Sequence, residues 1–338
     1  MSLLPFLHRV SNRENLTSPE AYEAMSVILE GAASEALLSA FLIALRMKGE
    51  TAAELAGFAR AMRDRAVFVD VGADVIDTCG TGGDGAGTFN ISTVAALVMA
   101  GAGARVAKHG NRSISSATGG SAEMMEALGV RFAMSPEETA CAVREIGIGF
   151  LFAPRMHPAM KHAQPVRREL KLRTVFNLLG PLVNPARAQA QLIGAPSPAA
   201  AQLMAEALAE LGTRHSFVVH GHDGLDEITT TGATDVYEVS AGQVKKLLWM
   251  PSDFGVPRAS LSALQGGDPL RNAEIARRIL AGEEGPARDI ALVNAAAGLV
   301  AAGLAADLRT GMSAALHSIE SGAAAERLAR LKHAFPLS

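Results

Sequence analysis

The stretch Asp77 to Asn90, DTCGTGGDGAGTFN, places five glycines between an apolar run that reads as a strand and one that reads as a helix. Glycine lets consecutive N–H groups converge on an anion, and a helix N-terminus adds a favourable dipole, so phosphate is the ligand such a junction suits. The spacing matches neither the P-loop nor the dinucleotide fingerprint, which implies another phosphate ligand. Asn90, Ser92 and Thr93 add side-chain donors at the helix start. Each can serve as a cap or as a contact to phosphate or metal, and taken singly a cap is the simpler reading. Asp84 has two readings, an Asx-turn residue or a group orienting a hydroxyl or a metal-bound water.

A second polar cluster, KHGNRSISSATGGSAE (108–123), follows the strand-like ARVA and precedes another helix, so it reaches the same sheet edge. Two anion loops on one edge suggest a ligand with two phosphate groups. Lys108, His109, Asn111, Arg112, Ser113, Ser115 and Ser116 supply more donors than so short a loop needs for its own caps. In the third cluster, His157, Lys161, His162, Arg167 and Arg168 have spacings that put several on one helix face, and an arginine fork suits a carboxylate. The fourth, GHDGLDEITTTG (221–232), carries Asp226 and Glu227. In a loop these two acids can chelate a hard cation such as Mg²⁺; an acidic turn is the competing reading.

The elements that must position these clusters fall into two textures. Up to about residue 65 the chain reads as helices only. Ser18-Pro19-Glu20 opens one, Gly31 stops it, and Thr51 with Glu54 forms a capping box for another. From Val71, short apolar strands (ADVID, ARVAK, GFLFAP, QAQLIGA, RHSFVVH) alternate with helices, one of them opened by Ser135-Pro136-Glu137-Glu138. That pattern predicts a parallel or mixed sheet wrapped by helices. DVYEVS and QVKKLLWM read as a hairpin turning at Ala241-Gly242. After Asn272 the chain is helical again, and those late helices are candidates to share a bundle with the N-terminal ones.

With 338 residues, 49% of them hydrophobic and 19% charged, the chain can bury a large core in two domains. A net charge of -3 and 4% aromatic residues leave no basic groove or stacking platform for nucleic acid. Two cysteines, Cys79 in the glycine loop and Cys141 in a helix, make neither a disulfide framework nor a metal spacing, and a reducing cytoplasm is expected. No uninterrupted apolar run reaches spanning length, and the N-terminal apolar stretch is short for a signal peptide.

The ordered set DTCGTGGDGAGTFNIST, KHGNRSISS, LFAPRMHPAMK, VRRELKLRTVFNLLGPLVNP and GLDEI, with AFLIALRMKGET near the N-terminus, resembles the anthranilate phosphoribosyltransferases of tryptophan biosynthesis along nearly the whole chain. The resemblance implies an α/β protein of the nucleoside phosphorylase and phosphoribosyltransferase kind. It would have a small helical domain (1–65, joined by a helical segment near 165–190) and a larger α/β domain (71–338) with a central, mostly parallel sheet. It implies a homodimer in which 5-phosphoribosyl 1-pyrophosphate and anthranilate react with Mg²⁺ as cofactor, without nucleic-acid or membrane partners. Carried over by position, the phosphoribosyl pyrophosphate contacts would be Gly80, Gly83, Asp84, Thr88, Asn90, Ile91, Ser92, Thr93, Lys108, Asn111, Arg112, Ser115, Ser116 and Ser121. Anthranilate would meet Gly80, His109, Asn111, His157, Arg167 and Gly180, and the metal would meet Ser92, Asp226 and Glu227. This chain departs from the family in carrying Ala117 where a lysine or arginine is common, and one extra residue before the next helix. No side chain is expected as nucleophile or general base, since the demanding step is departure of pyrophosphate rather than activation of a neutral amine. Cys79 is expected to pack rather than react. A pyrimidine nucleoside phosphorylase and a non-catalytic binding paralogue are the alternatives, opposed respectively by Arg167 with the Asp-Glu pair and by the charge balance.

Overall fold

The computed structural model describes residues 2–82, 85–112 and 119–337. Four helices open the chain, α1 (Leu4–Ser11), α2 (Ser18–Leu29), α3 (Glu35–Lys48) and α4 (Ala52–Asp64). The cap of α2 is Thr17, one residue before the expected Ser18, because only from Thr17 does Glu20 stand at the third helical position and close the capping box. Thr51 and Glu54 cap α4 as expected. The Glu54 carboxylate is fully buried. It accepts from the backbone of Leu16 (2.9 Å) and Thr51 (2.8 Å) and pairs with Lys48 (2.9 Å), so this buried charge is satisfied on all sides.

The α/β part runs β1 (Ile76–Gly80), α5 (Ile91–Gly101), β2 (Val106–Gly110), α6 (Ser121–Ala127), α7 (Pro136–Ile146) and β3 (Ile148–Phe152). Short helices α8 (Ala153–Met156), α9 (Gln164–Leu170) and α10 (Phe176–Leu179) lead to β4 (Ala190–Gly194), α11 (Pro198–Leu211) and β5 (His215–Gly221). The hairpin β6 (Thr234–Ser240) and β7 (Gln243–Trp249) turns at Ala241 and Gly242 with φ of 50° and 74°, the positive pair that a two-residue turn of this twist needs. Helices α12 (Pro269–Leu280), α13 (Pro286–Ala301), α14 (Leu308–Glu320) and α15 (Ala323–Ala334) finish the chain. No helix among the described residues is long and apolar enough to cross a membrane.

The seven strands form one mixed sheet in the order β3-β2-β1-β4-β5-β6-β7. Strands β1 to β5 are parallel, and β6 pairs antiparallel with both β5 and β7. The chain steps from β1 outward to β3 and then crosses back to β4 on the other side of β1. The direction of winding therefore reverses between β1 and β4, and ligands of open α/β sheets bind outside the strand C-termini at such a point.

Alternation along β4 and β5 separates two of the cores. Leu192, Phe217 and Val219 face one core with α5 and the late helices, whereas Ile193 and Val218 face the other with α11 and the N-terminal helices. The N-terminal core also takes in Ala163, Val166, Phe176, Leu179 and Leu182. The late helices do not join it. Alanine-rich α13 packs closely on α5, with Gly298 against Met99, so they belong to the other core instead of sharing a bundle with α1 to α4.

Candidate active site

Strand β1 runs on into the glycine stretch and ends at Gly80. Asp77, Thr78, Cys79 and Gly80 are paired in register with Gln191 to Gly194 of β4, and His109 and Gly110 carry β2 past Lys108, the end of the expected ARVAK strand. The side chains needing explanation thus stand on rigid strand ends. Asp77 is fully buried, accepting from the His109 backbone (3.0 Å) and from Asn184 Nδ2 (2.7 Å), and burial raises its pKa. Burial also lifts the Cys79 thiol well above its ordinary value, with Asp77 adding to the effect, so the sulfur is a neutral thiol rather than a thiolate nucleophile.

Lys108 is 2% exposed, and its ammonium donates to the Thr78 carbonyl (2.6 Å) and to Ser92 Oγ (3.3 Å). Burial lowers its pKa, opposed by neighbouring Asp77. Ser92 sits in the first turn of α5, where its backbone N–H donates to Glu227 Oε1 (3.2 Å). Asp226 Oδ2 accepts from Gly82 N–H (2.7 Å), so the glycine segment and the acidic loop after β5 are joined directly. Both carboxylates are at least nine-tenths buried. Their berth is made by paired glycines of β1 and β4. A Cβ on Gly80 would lie 2.8 Å from Asp226 Cγ, and one on Gly194 would overlap the Asp226 carbonyl.

Behind the acids, Asn294 of α13 grips Ile228 from both sides. Its amide donates to the Ile228 carbonyl (2.9 Å) and its oxygen accepts from the Ile228 N–H (3.0 Å). Across the glycine segment, Asn272 of α12 donates to Asn90 Oδ1 (3.2 Å), while Gly266 N–H donates to the Gly87 carbonyl (2.9 Å). Asn90 occupies the cap position of α5 without capping it. Its side chain is turned toward Asn272 and the Gly119 carbonyl, so the capping reading does not hold for it.

The third cluster is not one helix face. Pro158 and Pro165 divide it into α8, a 3-10 turn (Pro158–His162) and α9, which scatters its cations. Lys161, His162 and Arg168 are exposed, and His162 packs against Gly31 at the end of α2. Arg167 is half-buried, with its guanidinium stacked 5.2 Å above the Phe176 ring and its pKa lowered by burial. His157 is turned inward, its ring 5.1 Å from that of His109.

His109 Nδ1 lies 3.1 Å from the Gly180 carbonyl. A carbonyl only accepts, so Nδ1 carries the proton and Nε2 presents a lone pair. Burial, then the neighbouring His157, pushes His109 down to about 3; burial pushes His157 down to about 4. Both rings are neutral at physiological pH. Their Nε2 atoms, with the hydroxyls of Thr78, Thr81, Thr93 and Thr174, are buried polar atoms without a partner among the described residues. Orphans of this kind each cost about 1–3 kcal/mol when left unmatched, and their concentration at one sheet edge marks a place built for a polar ligand.

The family model for the glycosyl transferase helical bundle domain matches residues 4–66, and that for the glycosyl transferase a/b domain matches residues 72–325. An anthranilate phosphoribosyltransferase from Solibacter usitatus is 61% identical over 334 residues, 98% of each chain. The chain belongs to the anthranilate phosphoribosyltransferase family. The crystal structure of the family member from Thermus thermophilus superposes with a TM-score of 0.92 at 45% identity, over 97% of this chain and 98% of that one. The Saccharomyces cerevisiae member, solved in complex with PRPP and Mg, gives 0.88 at 30% identity over 98% and 97%.

Of the positions matched to the anthranilate phosphoribosyltransferase motifs, Gly80, Thr88, Asn90, Ile91, Ser92, Thr93, Lys108, His109, Asp226 and Glu227 lie on this edge, on β1, the glycine segment, α5, β2 or the acidic loop. Ser121 joins them at the start of α6, its hydroxyl against Gly110. Asn111 follows β2, where its side chain accepts from the Arg112 N–H (2.8 Å). Arg112 is paired with Glu126 (3.1 Å) and stacked 4.8 Å from Phe132. Gly83, Asp84, Ser113, Ser115, Ser116 and Ala117 lie outside the described residues. The sequence reading missed Asp77, Asn184, Gly194, Asn272 and Asn294. For Asn184 and Asn294 a weak signal was available, a lone asparagine inside an apolar run, which must find a partner when buried.

Proposed function

We propose that this chain transfers the phosphoribosyl group of 5-phosphoribosyl 1-pyrophosphate to the amine of anthranilate, releasing pyrophosphate. The observation that carries this reading is the pairing of Asp226 with Gly82 and of Glu227 with Ser92. It sets two carboxylates against the backbone donors of a glycine segment and a helix N-terminus. Acids so close to an anion cradle would repel phosphate unless a cation stood between them. Among the described residues no three His, Cys, Asp or Glu side chains are grouped so as to hold a metal by themselves, and the local donors are all oxygens: Asp226, Glu227 and the Ser92 hydroxyl. That set suits Mg²⁺, which completes its shell with phosphate and water. When bound, Mg²⁺ supplies neutralisation of charge developing on the pyrophosphate oxygens.

The residues of the chain do the rest. The glycine segment with Thr88, Asn90, Ile91 and Thr93 cradles the phosphates, Lys108 holds a buried positive charge beneath them, and Asn111 and Ser121 close the far side. The anthranilate nitrogen attacks ribose C1 as the bond from C1 to pyrophosphate oxygen breaks. C1 becomes oxocarbenium-like, and the ammonium proton passes to water or to the departing pyrophosphate. Gly80, Gly180, Asn111 and the neutral rings of His109 and His157 line the aromatic pocket, and Arg167 pairs with the carboxylate. The catalyst acts in the cytoplasm as a homodimer with these two small molecules as its partners, which sedimentation can check. The deciding experiment follows anthranilate fluorescence on addition of phosphoribosyl pyrophosphate and Mg²⁺. Substrate-dependent loss that needs both additions supports the reading, and no turnover, or phosphorolysis of thymidine instead, rejects it.

A further inference from the structure

The opposite edge of the sheet carries a second charged cleft. It is lined by Arg60, Arg63 and Asp64 of α4, by Arg187 and Gln189 before β4, and by Thr213 before β5. Its volume is about 260 Å³. At about 30 Å³ per water, that is room for a phosphate-sized ion and a few waters. Strand β4 rises about 3.3 Å per residue, so this N-terminal edge lies about 15 Å from the catalytic edge.

The three guanidiniums have little to hold them there. Arg60 donates to Ser18 Oγ (2.6 Å) and the Glu210 carbonyl (2.8 Å), neither of them charged. Arg63 uses Nε on the Leu182 carbonyl (2.7 Å), and neither Nη group has a partner among the described residues. Arg187 rests on the Phe68 ring at 5.3 Å. Asp64, the one carboxylate lining the cleft, accepts from the Tyr22 hydroxyl (3.1 Å) and forms no ion pair with any of the three. Three guanidiniums against one carboxylate leave a net charge of +2. Burial, reinforced by Arg187 and Arg60, pushes Arg63 down to about 10, a sign of mutual repulsion in a poorly solvated place. Forked donors without carboxylates fit a tetrahedral dianion, which would neutralise the cleft and satisfy the idle Nη groups.

We propose that Arg60, Arg63 and Arg187 form a second anion site, separate from the active site, for a phosphate dianion, either free or carried on a small metabolite. Arg63 belongs to the helical bundle and Arg187 to the approach to β4, so a bound dianion ties the bundle to the sheet and raises stability in proportion to its occupancy.

The test is calorimetric titration of inorganic phosphate into the full chain without Mg²⁺, at ionic strength held constant with chloride, for wild type, Arg187→Ala and Arg63→Met. Thermal unfolding is followed in parallel. Wild type should bind one more phosphate per chain than either variant, or bind it about 10- to 100-fold more tightly, as expected for loss of a charge-assisted contact. Its melting temperature should rise with phosphate more than theirs. Arg187→Ala keeps the test decisive if Arg63→Met folds poorly, because Arg187 is an exposed side chain resting on the Phe68 ring. A parallel titration with ribose 5-phosphate distinguishes the sources. Equal affinity means the free ion suffices, and a clear preference means the site takes the phosphoryl group of a metabolite. Identical stoichiometry, affinity and thermal response in wild type and Arg187→Ala would overturn the proposal.

Discussion

Replacing Gly80 by alanine tests the acidic berth directly. The new Cβ would stand 2.8 Å from Asp226 Cγ and closer still to Oδ2, whereas carbon contacts settle near 3.5–4.0 Å, so the carboxylate must retreat by about 1 Å. Asp226 has nowhere equivalent to go. Its Oδ2 is fixed by the Gly82 N–H, and Gly194 abuts its backbone. A displacement of about 1 Å in a positioning group costs about 100-fold in rate, roughly 2.7 kcal/mol of transition-state stabilisation. The expected result is a kcat/KM lowered about 100-fold, with an increased Mg²⁺ requirement and partial recovery at high Mg²⁺, in a protein whose circular dichroism is unchanged. The assay is the fluorescence decay of anthranilate at a series of Mg²⁺ concentrations. Gly194→Ala serves as the contrast, since its Cβ meets backbone that cannot swing aside, and it should lose folded protein rather than metal affinity alone. A folded Gly80→Ala enzyme with wild-type rate and wild-type Mg²⁺ dependence would refute the placement of Asp226.

Three further outcomes are expected. Arg167→Ala removes a partly desolvated charge from the carboxylate of anthranilate, worth roughly 2–4 kcal/mol, so kcat/KM falls about 30- to 1000-fold. An aniline lacking the carboxylate should lose little further, and equal losses on both amines would assign Arg167 to the fold. Gly180 has nothing within 4 Å of a built Cβ and has helical backbone angles, so Gly180→Leu should fold normally yet raise the KM for anthranilate. An unchanged KM would place the aromatic pocket elsewhere. His157 is held at about 4 by burial against 6.5 when exposed, so the unfolded chain binds the extra proton and stability is lost as pH falls below 6.5. From pH 6.5 to 5 that share is about 1.6 kcal/mol, and urea midpoints of His157→Gln should fall less over this interval than those of wild type. Parallel curves would show that the ring is not desolvated.

What the sequence determined by itself is whatever depends on neighbours along the chain. Periodicity placed all seven strands, and the capping boxes at Thr51 and Ser135 followed from residues three apart. The glycines and acids of the active site were legible because phosphate and hard-cation chemistry restricts residue types. Asp77, Gly194, Asn272 and Asn294 were not legible, because each acts on a partner brought near only by sheet register or helix packing. Gly194 in LIGA looks like any strand glycine until β4 pairs with β1 and the acidic loop descends on it. Arg112 and Arg168 looked like anion donors by type, yet Glu126 with Phe132 claimed the first, and the proline-broken path after β3 left the second on the surface. Where each cation stands was therefore decided by the tertiary structure. The reason is physical: a guanidinium goes wherever its forked donors and its flat face are best matched, and those matches lie far away along the chain.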